Sequence, residues 1–340
     1  MEQKACGRTG QVKAAEVKLT QSQLAMFGEQ GYVVVDDVLE PSRDIDPILA
    51  EYDAVLSSVV DDLEKMGAVF ETYDDLPFLD RLIALSVASK RSLGRYFSPT
   101  LPEAPFKPDE PMHQGPGVFS LLTSESLLDV VESVIGPEVY VHPLHHLRLK
   151  LPKRAVMGEG DGLVGHVPWH QDTGVLLAEA DDVNVLTVWV PLTDARRENG
   201  ALEVVPGSHH GRLLRHCPAD AERGLGPAIP EAGIFGPRTA VPVEVGSILL
   251  LHRRLIHRAL ENVTENEVRL SFDLRFQPVG QPTGRELCPG FVARSAGHPE
   301  AVLRNFDAWR DMWLEARTKL GLEGVETNDF FRWTDRGPGC

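Results

Sequence analysis

Apolar positions in the first third of the chain recur at helical spacing, whereas those in the middle third follow the two-residue period of strands. Thr20 and Gln23 make a capping-box pair ahead of Leu24 and Phe27, so a short helix starts here and Gly31 ends it. The β-branched run Val33, Val34, Val35 after Tyr32 predicts a buried strand. Helical spacing resumes over residues 45–66 and 79–96. Residues 99–117 are rich in proline and glycine and read as an ordered loop without regular structure. Leu127, Leu128, Val131, Val134 and Ile135 mark one more helix, stopped by Gly136 and Pro137.

The texture then changes. From residue 139 to 278 short β-rich runs alternate with turn clusters, at 147–151, 183–190, 202–205, 241–245, 248–251 and 270–276. Strands at such intervals predict an all-β sandwich or barrel. Residues 301–320 return to helical spacing, with Leu303, Phe306, Trp309, Trp313, Ala316 and Leu320 on one stripe. The expected organisation is a mobile tail over residues 1–18 and a single domain over 19–335, in which helices at 20–136 and 300–320 pack around a β core at about 139–278. There is no internal repeat and no low-complexity tract.

Composition narrows the function. At 340 residues and 42% hydrophobic content the chain supports a sizeable core. Fifty acidic residues against 34 basic ones give a net charge of −16, which repels phosphate backbones and anionic bilayers, so nucleic acid and membrane partners are not expected. Cys6, Cys217, Cys288 and Cys340 are far apart and contain no CxxC pair, so reduced thiols are the simplest reading. The polar first 18 residues lack the apolar run of a signal peptide. The expectation is a cytoplasmic monomer or homodimer acting on a small molecule.

The chemistry concentrates at Pro168, Trp169, His170, Gln171 and Asp172. Side chains at i and i+2 of a strand share a face, so His170 and Asp172 present an imidazole and a carboxylate to one point. The third ligand comes from elsewhere: His252 ends the run at 248–251 and His257 follows after a short turn, and His257 is the preferred candidate. Two histidines and one carboxylate leave three coordination positions open, which suits iron(II) chemistry with oxygen. An isolated HxD is common by chance; its place at the head of the β-rich region, with a distal histidine and then Arg269 near the end, raises it above chance.

Arg269, Ser271, Asp273 and Arg275 alternate with Leu270, Phe272 and Leu274. Turned into a barrel, the polar set makes a pocket in which the Arg269 guanidinium forms a bidentate fork for the C5 carboxylate of 2-oxoglutarate. Turned to water, the same four residues are ordinary surface groups; alternation alone does not choose, and the spacing from His257 favours the interior. Arg148 and Lys150 share a face on an earlier run and are open to the same two readings, a second carboxylate contact or a solvated edge. Gln171 points away from His170, as a support for the ligands or a contact to the cosubstrate.

Trp169, His170, Gln171 and Asp172 resemble the proximal metal motif of the phytanoyl-CoA dioxygenase family. The runs from Val188 to Ala195, Glu198 to Leu202 and Val205 to His209 are similar to the family's central stretch. Gly246, Ser247 and Ile248, with His257, Arg258, Ala259, Leu260, Glu261, Asn262 and Arg269, are similar to its distal half, and the resemblance covers about residues 19–278. It implies a mainly β fold with flanking helices, built on a double-stranded β-helix (jelly-roll, cupin-like) core. It implies Fe(2+) held by His170, Asp172 and His257, with 2-oxoglutarate and O2 as cosubstrates and Arg269 on the C5 carboxylate. The reaction it implies is oxidation, most simply hydroxylation, of an unactivated C–H bond, with succinate and CO2 as co-products. One departure is Ala259, where the family often has a serine, so a hydroxyl contact to 2-oxoglutarate is missing. Asp172 is present where related halogenases lose the carboxylate, which argues against chlorination.

Other residues carry two readings each. Trp169, Thr187 and Trp189 line the pocket or serve the core. His142, His145 and His146 read as pocket-edge or surface histidines, His166 as part of a loop over the site, and Pro206 to His209 as a structural turn. His113 and Gln114 are distant candidates for substrate contact. The expected function is a tailoring oxygenase of secondary metabolism; the alternatives are an acyl-CoA hydroxylase of the phytanoyl-CoA type and a non-catalytic jelly-roll metal- or ligand-binding protein.

Overall fold

The structure, a computed structural model, describes residues 17–91, 93–101, 107–155, 167–218, 226–323, 332–336 and 340. The chain enters through α1 (Gln21–Gln30), whose capping box is complete: Thr20 Oγ1 accepts from the Gln23 backbone N–H, and the Gln23 side chain accepts from that of Thr20. Gly31 closes the helix at φ 81°, with an ideal Cβ there only 2.4 Å from His209 Nδ1, so no larger residue fits that turn. The strand β1 (Tyr32–Val35) follows. Helices α2 (Pro41–Asp44), α3 (Asp46–Lys65), α4 (Phe78–Ser89), α5 (Pro116–Leu122) and α6 (Glu125–Ile135) come next.

The β region comprises β2 (Val139–Val141), β3 (His146–Lys150), β4 (Val167–His170), β5 (Leu186–Pro191), β6 (Leu202–Val204), β7 (Thr239–Val241), β8 (Ile248–His252), β9 (His257–Ala259), β10 (Arg269–Pro278) and β11 (Phe291–Arg294). Helix α7 (Phe306–Glu323) ends the described secondary structure. Among the described residues the strands form two antiparallel sheets. The larger runs β1-β8-β5-β10-β2-β11, with β3 also paired to β10, and the smaller runs β4-β9-β6-β7. Trp189, Leu249 and Leu251 of the larger sheet pack with Leu202, Val204, Val241 and Ala259 of the smaller, so the sheets face one another. This is the jelly-roll core.

The opposite face of the larger sheet is covered by helices. Leu270, Phe272, Leu274 and Phe276 of β10 and Val188 and Val190 of β5 join one core with Ile48, Tyr52 and Leu56 of α3, Leu127 and Leu128 of α6, and Trp309 and Trp313 of α7. Because side chains alternate along a strand, sealing the leucine–phenylalanine set under helices sends Arg269, Ser271, Asp273 and Arg275 to the inner face, between the sheets. The face that sequence alternation left undecided is thereby decided.

Several elements differ from expectation. The helix expected over 79–96 stops at Ser89, where Lys90 takes a left-handed φ of 54°, and a separate 3-10 turn covers Gly94–Phe97. Helix α5 falls at the end of the stretch read as loop; Pro116 at its first turn starts it, and Val118, Leu121 and Leu122 are buried. The strand β11 lies beyond the expected core, and the C-terminal helix begins at Phe306 because Leu303 instead donates its backbone N–H to Val292 of β11, at 2.9 Å. The run at 241–245 leaves regular pairing after Val241 and continues only as a bridge between Val243 and Ala195. The reading of the cysteines as reduced thiols is corrected for two of them. Cys217 and Cys340 form a disulfide with Cα atoms 5.5 Å apart, because the C-terminal segment returns against residues 214–217, while Cys288 is free. Residues 1–16 and His166 lie outside the described residues. No described helix is long and apolar enough to cross a membrane.

Candidate metal centre

His170 ends β4, and His257 begins β9 directly opposite it in the antiparallel register. Asp172 lies just past the strand, at the start of a 3-10 turn (Asp172–Val175), but Gln171 keeps an extended backbone at φ −117°, ψ 137°, so the inward alternation carries through to Asp172. Ligand atoms of His170, Asp172 and His257 all lie within 4.8 Å of one another, and all three residues are buried. His170 and Asp172 thus share the inner face although the strand ends at His170, two residues short of Asp172.

Hydrogen bonding fixes both imidazole tautomers. His170 Nδ1 is 2.9 Å from the Pro168 carbonyl and His257 Nδ1 is 3.0 Å from the Leu255 carbonyl. A carbonyl only accepts, so each Nδ1 carries the proton and each Nε2 lone pair is left for the site. Burial, reinforced by His257, holds His170 well below the usual histidine range, so it is neutral at neutral pH. Burial alone pushes the Asp172 carboxyl up, but Arg275, His257 and His170 outweigh it and hold the group below the usual carboxylate range. Two imidazole Nε2 lone pairs and an ionised carboxylate, all on buried residues, are a donor set that fits a ferrous ion.

These residues open on a cavity between the sheets, whose wall also includes Arg148, Trp189, Ala259, Arg269, Asp273 and Arg275. Arg269 is 1% exposed. Its Nε donates to the Gly200 carbonyl at 3.1 Å, its Nη1 donates to Ser271 Oγ at 2.6 Å, and its guanidinium lies 5.5 Å from the Trp189 ring centroid. Burial lowers its pKa to about 9, and among the described residues no carboxylate reaches ion-pair distance of it. A buried cation in a cavity wall without an anionic partner calls for an anion from solution.

Residues 27–270 match the model of the family Phytanoyl-CoA dioxygenase (PhyH). This chain belongs to the phytanoyl-CoA dioxygenase family. Among curated proteins, 1-deoxypentalenic acid 11-beta-hydroxylase of Streptomyces exfoliatus is 29% identical over 180 residues, 51% of this chain and 61% of that protein. Phytanoyl-CoA dioxygenase of Arabidopsis thaliana is 24% identical over 258 residues, 72% of this chain and 84% of that protein. The chain therefore spans under two thirds of the length of the Streptomyces relative. Among solved structures, the apo form of the non-heme monooxygenase ThoJ shares the fold with a TM-score of 0.50 at 18% identity, covering 88% of this chain and 98% of that one.

Within this phytanoyl-CoA dioxygenase family chain, the other residues singled out from sequence separate clearly. Arg148 lines the cavity, but its Nε donates to Asp273 Oδ2 at 2.7 Å. Lys150 stands opposite Arg269 in the β3–β10 register but does not reach the cavity wall; its chain is packed behind Gly200, where an added Cβ would meet Lys150 Cδ at 2.6 Å. Neither lies on a solvated edge. The reading of Gln171 as a cosubstrate contact is corrected. Its Nε2 donates to the Arg254 carbonyl at 2.8 Å and its Oε1 accepts from Leu214 N at 2.8 Å, so it ties two loops together on the side away from the cavity. Its backbone N–H donates to His216 Nε2 at 3.0 Å, a support that sequence reading missed.

Trp169 packs with Val205, Ile229, Ile234 and Ile256 on the outer side of β4, with Arg258 4.6 Å from its ring centroid, so it braces the strand and does not wall the pocket. Trp189 does wall it, and its Nε1 is buried without a partner among the described residues. His252 packs on Phe27 and His209 outside the cavity and is not part of the triad. Of the three histidines expected at the pocket edge or the surface, His142 and His145 are buried and His146 is half-buried, with His142 donating to the Thr283 carbonyl at 2.8 Å. Ser208 in the Pro206–His209 turn accepts from Ile256 N, a structural role. His113 lies by Glu51 and Gln114 donates to the Pro99 carbonyl, both far from the triad in the contacts they make. Thr187, open in sequence between pocket and core, and Arg275, open between pocket and surface, both hydrogen-bond Asp172.

Proposed function

We propose that this chain is a non-haem iron(II), 2-oxoglutarate-dependent dioxygenase that hydroxylates an unactivated C–H bond of a small organic molecule of secondary metabolism. The observation that carries the reading is the convergence of His170, Asp172 and His257 on a cavity whose wall also holds the buried cation Arg269. His170, Asp172 and His257 are the residues that would hold the metal. Bound there with O2 and 2-oxoglutarate, iron supplies the oxidising power for a C–H bond, at the expense of decarboxylating 2-oxoglutarate to succinate.

The chain's own part is binding and positioning. Arg269, fixed by Gly200 and Ser271 and stacked near Trp189, takes the C5 carboxylate of 2-oxoglutarate, and the cosubstrate's charge compensates the buried guanidinium. Arg148 is committed to Asp273, so it shapes the wall electrostatically and is not a second anchor. Lys150 supports Gly200 from behind. Val167, Leu202, Leu251 and Ala259 give the cavity an apolar side that excludes water and accommodates hydrocarbon. The missing hydroxyl at Ala259 leaves Arg269 and Ser271 as the anchor. Similarity to the 1-deoxypentalenic acid hydroxylases supports a secondary-metabolite substrate. An acyl-CoA substrate is the second reading, supported by the longer match to the Arabidopsis phytanoyl-CoA dioxygenase. The cytoplasmic address loses its thiol argument to the Cys217–Cys340 pair.

The test is an anaerobic titration of the apoprotein with iron(II) and 2-oxoglutarate. A weak visible charge-transfer band is expected, absent in His170→Ala; no band in the wild type, or the same band in the variant, rejects the assignment. Succinate release stimulated by free acids such as 1-deoxypentalenic acid rather than branched acyl-CoAs then selects the first substrate class over the second.

A further inference from the structure

Asp172 has each of its oxygens engaged differently. Oδ1 accepts from Arg275 Nη2 at 2.5 Å. Oδ2 accepts from Thr187 Oγ1 at 2.8 Å and lies 3.9 Å from His257 Nε2. Arg275 and Thr187 are direct partners in the β10–β5 register, so the two donors arrive side by side from neighbouring strands. The Arg275 guanidinium is itself held by the Leu144 carbonyl, which accepts from Nη1 at 3.3 Å. Asp172 is 0% and Arg275 2% exposed, so water does not compete for either.

We propose that Arg275 and Thr187 clamp Asp172 into a one-oxygen metal ligand, with Oδ1 withheld by the guanidinium and Oδ2 aimed at the gap between His170 and His257. The proposal rests on the metal-site reading above and adds two positioning residues to it. A carboxylate free of such partners can chelate an ion through both oxygens and take up two coordination positions. The clamp limits Asp172 to one, so three protein donors fill three positions and the rest stay open for small ligands. Before metal arrives, Arg275 also compensates a carboxylate that has no access to water, which lets the site preform. Thr187 donates to the same oxygen that lies nearest His257 Nε2 and so sets its lone-pair direction. Partners of this kind, one bond removed from a metal, change its affinity by about 10- to 100-fold when lost.

The test uses the apo full-length chain titrated with Co(II) by visible absorption and with Mn(II) by electron paramagnetic resonance. Arg275→Gln is expected to weaken both dissociation constants by about 10- to 100-fold and to change the Co(II) ligand-field bands, because the released carboxylate changes its coordination. Arg275→Lys keeps the cation without the planar fork and is expected to restore affinity in part. Thr187→Val keeps the shape and loses the donor, with a smaller weakening and a shifted Co(II) spectrum. Should Arg275→Gln not fold, as judged by circular dichroism, Arg275→Lys and Thr187→Val decide the matter. His170→Ala separates the two levels. If it binds metal as tightly as wild type, the metal-site reading itself fails. If it loses the metal while the folded Arg275 and Thr187 variants keep wild-type affinity and an unchanged Co(II) spectrum, the clamp is overturned and the metal site stands.

Discussion

His170 and His257 occupy directly opposed positions on β4 and β9, and their imidazole centroids stand 4.2 Å apart. Two residues separated by most of the β region are brought together by one register. Both Nδ1 atoms are committed to carbonyls, so both Nε2 atoms point into the same space. His252 ends the neighbouring run in sequence but faces Phe27 and His209. His257→Ala is therefore expected to abolish iron(II) binding and the charge-transfer band with 2-oxoglutarate, whereas His252→Asn leaves both in place. Equal losses in the two variants, measured by anaerobic titration, would contradict the assignment of the distal ligand.

Arg269 and Gly200 form the second relationship that function depends on. The Gly200 carbonyl accepts from Arg269 Nε at 3.1 Å, and Gly200 itself holds φ 99° with an ideal Cβ 2.9 Å from the Leu260 carbonyl. Arg269→Leu removes the cation that faces the cosubstrate, and loss of one partner from a buried charge pair costs about 2–5 kcal/mol, a rise of roughly 30- to several-thousand-fold in the KM for 2-oxoglutarate. Gly200→Ala is expected to raise the same KM by a smaller factor, because the strained backbone shifts the carbonyl that orients the guanidinium. Steady-state succinate formation against 2-oxoglutarate concentration measures both. An Arg269→Leu enzyme with an unchanged KM would remove this residue from the cosubstrate site.

What the sequence disclosed followed from periodicity and local caps. Thr20, Gln23 and Gly31 bound α1 through interactions within a few residues, and the alternation along β10 was readable because it is a property of one strand. Which face of β10 turned inward was not readable, since that depends on α3, α6 and α7 arriving from both ends of the chain to cover Phe272 and Leu274. Which of its two open roles Gln171 takes was unreadable for the same kind of reason. Its partners, Leu214 and Arg254, belong to loops whose return to β4 leaves no trace in spacing. Helix α5 escaped because the proline-rich stretch before it masked Pro116 as a helix start. The pairing of Cys217 with Cys340 escaped because 123 residues separate them.

The buried His142 gives the fold a pH dependence of definite sign. Its Nδ1 accepts the Leu144 N–H at 3.0 Å and its Nε2 donates to the Thr283 carbonyl, so the ring has no lone pair to spare for a second proton. Burial lowers its pKa to about 3, opposed by the Thr283 bond and aided by Arg275 and Arg285. The unfolded chain titrates near the ordinary histidine value of about 6.5 and so binds the proton more readily than the folded one. The stability linked to His142 is therefore whole above pH 6.5 and is lost as pH falls from there toward about 3, at up to about 1.4 kcal/mol per pH unit. His216, lowered to about 4 mainly by burial, acts in the same direction. The expected result is an apoprotein whose melting temperature falls steadily from pH 7 to pH 5, with a shallower slope in His142→Gln. A melting temperature that is flat or rises on acidification would show that this histidine is not held neutral.

The C-terminal segment couples covalent structure to the metal ligands. Cys340 is bonded to Cys217, and the adjoining His216 stacks on Trp333 with ring centroids 5.5 Å apart while accepting the backbone N–H of Gln171, the residue between His170 and Asp172. Trp333 Nε1 also donates to the Gly174 carbonyl at 2.6 Å, in the turn that begins at Asp172. Opening the disulfide frees a closed loop of 123 residues, and native disulfides of this kind contribute about 2–4 kcal/mol. Reduction, or Cys340→Ser, is thus expected to lower the melting temperature and to weaken metal binding modestly, because the backbone at Gln171 loses part of its support. Alkylation under denaturing conditions followed by peptide mass analysis checks the bond directly. Cys288 should be modified without reductant, and Cys217 and Cys340 only after it; modification of Cys340 in the unreduced protein would mean that the C-terminal segment is held by non-covalent contacts such as Trp333 to Gly174 and Asp335 to Arg215, and the predicted loss of stability on reduction would disappear with the bond.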